Sequence, residues 1–112
     1  MKKDPKIFLV HILENINLIE EDLSGVDAEN FKKSRLLQDA VVRRVEVMGE
    51  AAKNLPEEFK SEHPDVPWRK IAGTRDFIVH EYFSIDLDLV WEITQKELPD
   101  LKNKITAILG RL

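Results

Sequence analysis

Trp68-Arg69-Lys70-Ile71-Ala72-Gly73-Thr74-Arg75-Asp76-Phe77-Ile78-Val79-His80-Glu81-Tyr82 is the stretch from which both the fold and the chemistry are read. Pro67 precedes it, with a fixed φ and no N–H to lose, as suits the first turn of a helix. Ile71, Ile78 and Val79 recur on a helical period, which predicts a helix ending near Phe83. Within it lie Arg75, His80 and Tyr82. At about 100° per residue, Arg75 and Tyr82 share a stripe, while Asp76 and His80 stand one turn apart. The Asp76 carboxylate is thereby placed to hydrogen-bond the imidazole and fix its tautomer. Arg75 and His80 are about 140° apart around such a helix. They converge if the Arg side chain wraps round, if the helix frays near His80, or if a second subunit closes the site, and the last option favours a dimer. Taken singly, a His near a helix end is an ordinary solvent-facing group and an Arg is half of a weak surface pair. The combination is what points to a site.

N-terminal to this stretch, Asp4-Pro5 reads as an N-cap followed by Pro, opening a helix to about Asp22. Phe8, Ile12, Asn15 and Ile19, with Val10, Leu13 and Ile16, make its broad apolar face, and His11 reads as a residue at the core edge without chemistry. Ser24-Gly25 ends it, Gly25 suiting a left-handed position. Asp27 caps a second, long helix from about Ala28 to Asn54, with a kink near Ser34. Gly49-Glu50-Ala51-Ala52 interrupts it with small residues. A helical Gly costs up to about 1 kcal/mol relative to Ala, so close approach of another helix is its expected reason. Glu50 is a site-facing candidate or a partner for Arg75; the plainer reading is a surface carboxylate.

Leu55-Pro56 stops that helix and Glu57-Glu58 begins a short one, its acids matching the helix dipole. His63-Pro64-Asp65-Val66-Pro67 reads as a loop with His63 on the surface. After the central stretch, Asp86 caps the last helical region, where Leu87, Val90, Trp91, Ile93 and Thr94 are apolar-side residues. Pro99 kinks or restarts it, and Leu101, Ile105, Ile108 and Leu109 continue the pattern. No run alternates with period two. The expected fold class is all-α: an antiparallel bundle of four to five helices, with residues 1–112 forming a single domain.

The chain has 112 residues and no Cys, which excludes disulfides and thiolate zinc sites. No metal-ligand spacing and no Gly-rich phosphate loop occur, so no metal or cofactor is expected. The opening apolar run is broken by His11, Glu14 and Asn15, unlike a signal peptide or membrane span, and a cytoplasmic protein is the default. The net charge of −4 argues mildly against a general polyanion binder. Residues 31–54 depart from this with six Lys and Arg against three acids. Lys32, Lys33, Arg35, Arg43 and Arg44 are where a phosphate backbone would be steered, or simply form a solvated helix face.

The chain as a whole resembles the HepT-like toxins of the HEPN superfamily. The resemblance lies in Arg43 to Ala52, Val66 to Gly73, Arg75-Asp76-Phe77-Ile78-Val79-His80-Glu81-Tyr82, and Val90-Trp91 through Leu98-Pro99, in the family's order. The Arg-x-x-x-x-His-x-Tyr pattern is intact, with Asp76 where Asn is common. The resemblance implies a helical bundle that dimerises with both motifs facing a shared cleft, and a metal-independent endoribonuclease acting as a toxin. It implies a cognate antitoxin, an MntA-type nucleotidyltransferase that transfers AMP from ATP onto the motif Tyr. On these positions Arg75 and His80 would be catalytic, Asp76 and Tyr82 supporting, and Tyr82 the site of AMPylation.

The residue types agree with that chemistry. The 2′-OH of RNA is an internal nucleophile, and a His can take its proton or give one to the leaving oxygen. An Arg can hold the phosphate oxygens as charge develops. A carboxylate beside the His favours its protonated form. A rival expectation is a non-catalytic nucleotide-binding partner of a nucleotidyltransferase, in which the same Arg and His hold a nucleotide.

Overall fold

Asp4 accepts the Lys6 N–H at 3.0 Å and Pro5 takes the first turn, starting α1 (Pro5–Asp22) where the sequence places it. The computed structural model describes residues 4–78 and 85–112, without the side chains of Arg75 and Phe77. Apart from a bridge residue at Ile85, every regular element among the described residues is helical. Gly25, at φ 76°, turns the chain after α1 in the left-handed region that suits glycine. The buried stripe of α1 is Leu9, Ile12, Ile16 and Ile19. Leu9 is missing from the sequence expectation yet has no exposure, whereas His11 is exposed rather than at the core edge. The stripe is narrower than the apolar residues of the helix suggest, so Phe8 and Leu13 only flank it.

The single helix expected over residues 28–54 is two, divided at Ser34 where a kink was expected. Asp27 accepts the Asn30 N–H at 2.8 Å to begin α2 (Ala28–Lys33), and Ser34 leaves the helical region and begins α3 (Arg35–Asn54). Two side chains stabilise the break. Ser34 Oγ accepts the Leu37 N–H at 3.2 Å, and Gln38 Nε2 donates to the Phe31 and Lys32 carbonyls, each at 3.0 Å. The groups that a continuous helix would pair internally are thus met from outside it.

α4 (Glu57–Glu62) follows Pro56 as expected. The segment after it is more packed than a surface loop. The His63 ring lies 4.7 Å from that of Phe59, its carbonyl accepts Trp68 Nε1–H at 3.0 Å, and Val66 is buried. The helix of the central stretch is also broken: α5 (Trp68–Ala72) ends at Gly73 and α6 (Thr74–Ile78) begins directly after it. The Thr74 hydroxyl donates to the Lys70 carbonyl at 2.7 Å, filling a terminal acceptor of α5.

Asp86 caps α7 (Leu87–Glu92), accepting the Leu89 N–H at 3.0 Å. A π-helical turn, Ile93–Glu97, joins it to α8 (Leu98–Gly110). Pro99 has no N–H to offer the preceding turn, and Leu98 N–H bonds to Ile93, five residues back.

α1 packs on α3 and α8, and α3 packs in turn on α5 and α6. Ile12, Ile16, Val41, Met48, Ile105 and Ile108 lie at the centre of the core. Each such side chain is worth roughly 1.5–3 kcal/mol in burial. Phe31 of α2 is fully buried, its ring 5.4 Å from that of Trp91 on α7. No helix among the described residues is long and apolar enough to cross a membrane.

Candidate functional site

Gly49 explains how the central stretch is held. A Cβ there would lie 3.1 Å from the Ile71 carbonyl oxygen and 3.2 Å from that of Ala72. Only a bare backbone lets the end of α5 sit this close to α3, so the close helix approach expected from the small-residue run is present. The neighbour is the chain's own α5. Ala51 and Ala52 are buried within the same chain, so the Gly49–Ala52 run is not an open face for a second subunit. α6, which carries Arg75 and Asp76 and also packs on α3, follows across Gly73.

Beside this junction lies a groove of about 370 Å³ whose α3 wall includes Arg43, Glu46, Glu50 and Lys53, with Ile71 and Ala72 opposite. Glu50 is exposed and 3.7 Å from Lys53. It lines the groove, and its partner is Lys53 on α3 rather than a residue of the central stretch. Asp76 is exposed on α6, and its N–H donates to the Gly73 carbonyl at 2.9 Å. The backbone of Arg75 belongs to α6, but its side chain lies outside the described part of the structure, as do His80 and Tyr82 altogether. The ends of the connection that contains them are fixed: the Asp86 N–H donates to the Ile78 carbonyl at 2.8 Å. Arg75 and Asp76 thus lie on α6, which packs on α3, and Glu50 lies on α3 itself.

The basic segment is not the open cationic surface that its composition suggests. Lys32 pairs with Asp88, Lys33 with Glu29 at 2.9 Å, Arg35 with Asp39 at 3.8 Å and Arg44 with Asp22 at 3.0 Å. Two of these partners, Asp22 and Asp88, come from other helices, which a count along the sequence does not register.

A second cavity of about 550 Å³ lies between α3, α5 and the π-helical turn. Its walls include Met48, Ile71, Leu89, Ile93 and Leu98, and the Lys70–Glu97 ion pair stands at its edge. Sequence reading missed it. The two charges are 27 residues apart and nothing local links them. Among the described residues no three His, Asp or Glu side chains are grouped to hold a metal ion.

The family model described as Ribonuclease HepT-like matches residues 12–108. A "Probable ribonuclease HepT" of Thermococcus cleftensis is 41% identical over 96% of this chain and 98% of its own length. A "Putative RNase" of Caldanaerobacter subterraneus subsp. tengcongensis is 43% identical over 97% of each chain. A "Gamma-glutamylcyclotransferase and putative RNase" of Methanocaldococcus jannaschii is 47% identical over the whole of this chain, which spans half the length of that relative. No solved structure matches the chain. With the family model spanning most of the sequence and relatives of this identity over nearly full length, the chain belongs to the HepT-like ribonuclease family.

Proposed function

We propose that the protein is a toxin that cleaves RNA internally without a metal ion, through Arg75 and His80 at a cleft between two copies of the chain. The observation that carries this reading is the intact Arg75-x-x-x-x-His80-x-Tyr82 pattern in a member of the HepT-like ribonuclease family. The names of the relatives support it. So does the groove lined by Ile71 and Ala72 of α5, the helix directly before α6.

In this mechanism the 2′-oxygen attacks the adjacent phosphorus while the bond to the 5′-oxygen breaks, leaving a 2′,3′-cyclic phosphate and a 5′-hydroxyl. His80 takes the proton of the 2′-OH or delivers one to the 5′-oxygen. Arg75 holds the non-bridging oxygens as negative charge builds on them, and Asp76 orients the imidazole. A second subunit completes the cleft.

Regulation follows from Tyr82. An MntA-type nucleotidyltransferase, using ATP and Mg²⁺, joins the phenolic oxygen to the α-phosphorus of ATP with release of pyrophosphate. The added AMP sets a negative phosphate against Arg75 and its adenosine in the path of the strand. Neither a cofactor nor a metal is needed by the nuclease itself in this scheme.

The second reading, a non-catalytic nucleotide-binding partner, is favoured by the net charge of −4 and by the internal pairing of the basic segment. A mixed-sequence RNA oligonucleotide in EDTA separates the two. The nuclease leaves cyclic-phosphate ends and spares the same oligonucleotide made with 2′-deoxy sugars. Intact RNA after prolonged incubation with the protein supports the binding module instead.

A further inference from the structure

Of the six Lys and Arg in the basic segment, five pair with carboxylates, Lys53 with Glu50 among them, and Arg43 does not. It is exposed, and it makes no ion pair with any described residue. It also lines the 370 Å³ groove whose opposite wall is Ile71 and Ala72. Ala72 precedes Arg75 by three residues, a reach of at most about 11 Å of extended chain. The acids of the groove do not cancel Arg43: Glu50 is held by Lys53 at 3.7 Å, and Glu46 is not free. One guanidinium thus remains open at one end of a groove whose other wall leads directly into α6.

We propose that Arg43 binds a phosphate of single-stranded RNA flanking the scissile bond, a few nucleotides from Arg75, and that the groove along α3 is the path of that strand. A planar guanidinium fork suits the paired oxygens of a phosphodiester better than an ammonium does. Arg43 is a positioning residue in this scheme and touches no reacting atom. The proposal rests on reading Arg75 and His80 as the cleavage pair, but its test does not depend on cleavage.

Binding of a fluorescein-labelled single-stranded RNA is followed by anisotropy over a range of salt for the wild-type protein, Arg43→Gln, Arg43→Lys and, as a control, the exposed Arg111→Gln. Cleavage is measured in parallel. Arg43→Gln is expected to weaken binding about tenfold, as loss of one charged hydrogen-bonding contact does. It should lower the salt slope by about 0.7, the share of one phosphate contact on a single strand. KM should rise with kcat nearly unchanged. Arg43→Lys should recover part of the affinity, Arg111→Gln should match wild type, and all four should melt alike. Equal affinity for Arg43→Gln and wild type, with RNA still bound and cut, overturns the proposal and leaves the nuclease reading intact. Arg43-dependent binding without cleavage upholds the groove along α3 as the path of the strand, and removes the nuclease reading and the scissile bond with it. A wild-type protein that neither binds nor cuts RNA ends both.

Discussion

Gly49 shows a single residue deciding where the central stretch sits. Its missing side chain leaves room for the Ile71 and Ala72 carbonyl oxygens, and backbone atoms at a helix end cannot rotate away as a side chain would. Gly49→Val is therefore expected to destabilise the protein by about 1–3 kcal/mol through overpacking, seen as an earlier midpoint in urea unfolding. A midpoint at or above that of wild type would show that α5 yields freely. Tyr82 offers a prediction of another kind. Incubation with the cognate nucleotidyltransferase, ATP and Mg²⁺ should add AMP to the wild-type protein and silence it. Tyr82→Phe should keep at least part of the nuclease activity and gain no mass, and an AMP increment on Tyr82→Phe would place the acceptor elsewhere. The residues that were legible in the sequence are those whose role is local. Asp4, Asp27 and Asp86 cap the helices that follow them, and Gly25 takes its left-handed turn. Arg43 and the Lys70–Glu97 pair were not legible as such, because what distinguishes them is which neighbours the fold brings near.

At the scale of elements, the sequence pattern located helices well and breaks poorly. Apolar periodicity runs through Ser34 and through Gly73, and in both places the chain stops and restarts because side-chain groups replace backbone partners. Ser34→Ala removes the cap of α3 and should cost about 1 kcal/mol, lowering the melting temperature by a few degrees; an unchanged melting temperature would show that the Gln38 bonds alone maintain the break. The π-helical turn was equally hidden, since Pro99 announces an interruption but not how its neighbours re-pair. In α4, the hydrogen bond from Lys60 holds the Glu57 carboxyl below its ordinary range, and the positive charge of Lys60 adds to this. The stability it contributes is complete at neutral pH and lost as pH falls through that lowered value. It is small, because water screens the pair.

For the whole molecule, the all-helical class was readable because no segment alternates with period two while several carry a helical stripe. The way α3 serves at once as core helix and as wall of the groove was not, since both faces of α3 are decided by what folds against them. A second subunit belongs to the proposed cleft, so light scattering at micromolar concentration should give twice the mass of the chain; a monomer would leave Arg75 and His80 to meet within one copy. Gly49 offers that dimer no open contact, because the end of α5 already lies against it. The central claim is that His80 moves the proton in a metal-independent cleavage of RNA. Its most direct test is the single-turnover rate on a labelled RNA in EDTA, for wild type and His80→Ala purified side by side. Wild type is expected to cleave steadily and the variant to be slower by about 10²–10⁴-fold, with the same circular dichroism spectrum. Equal rates for the two proteins would contradict it.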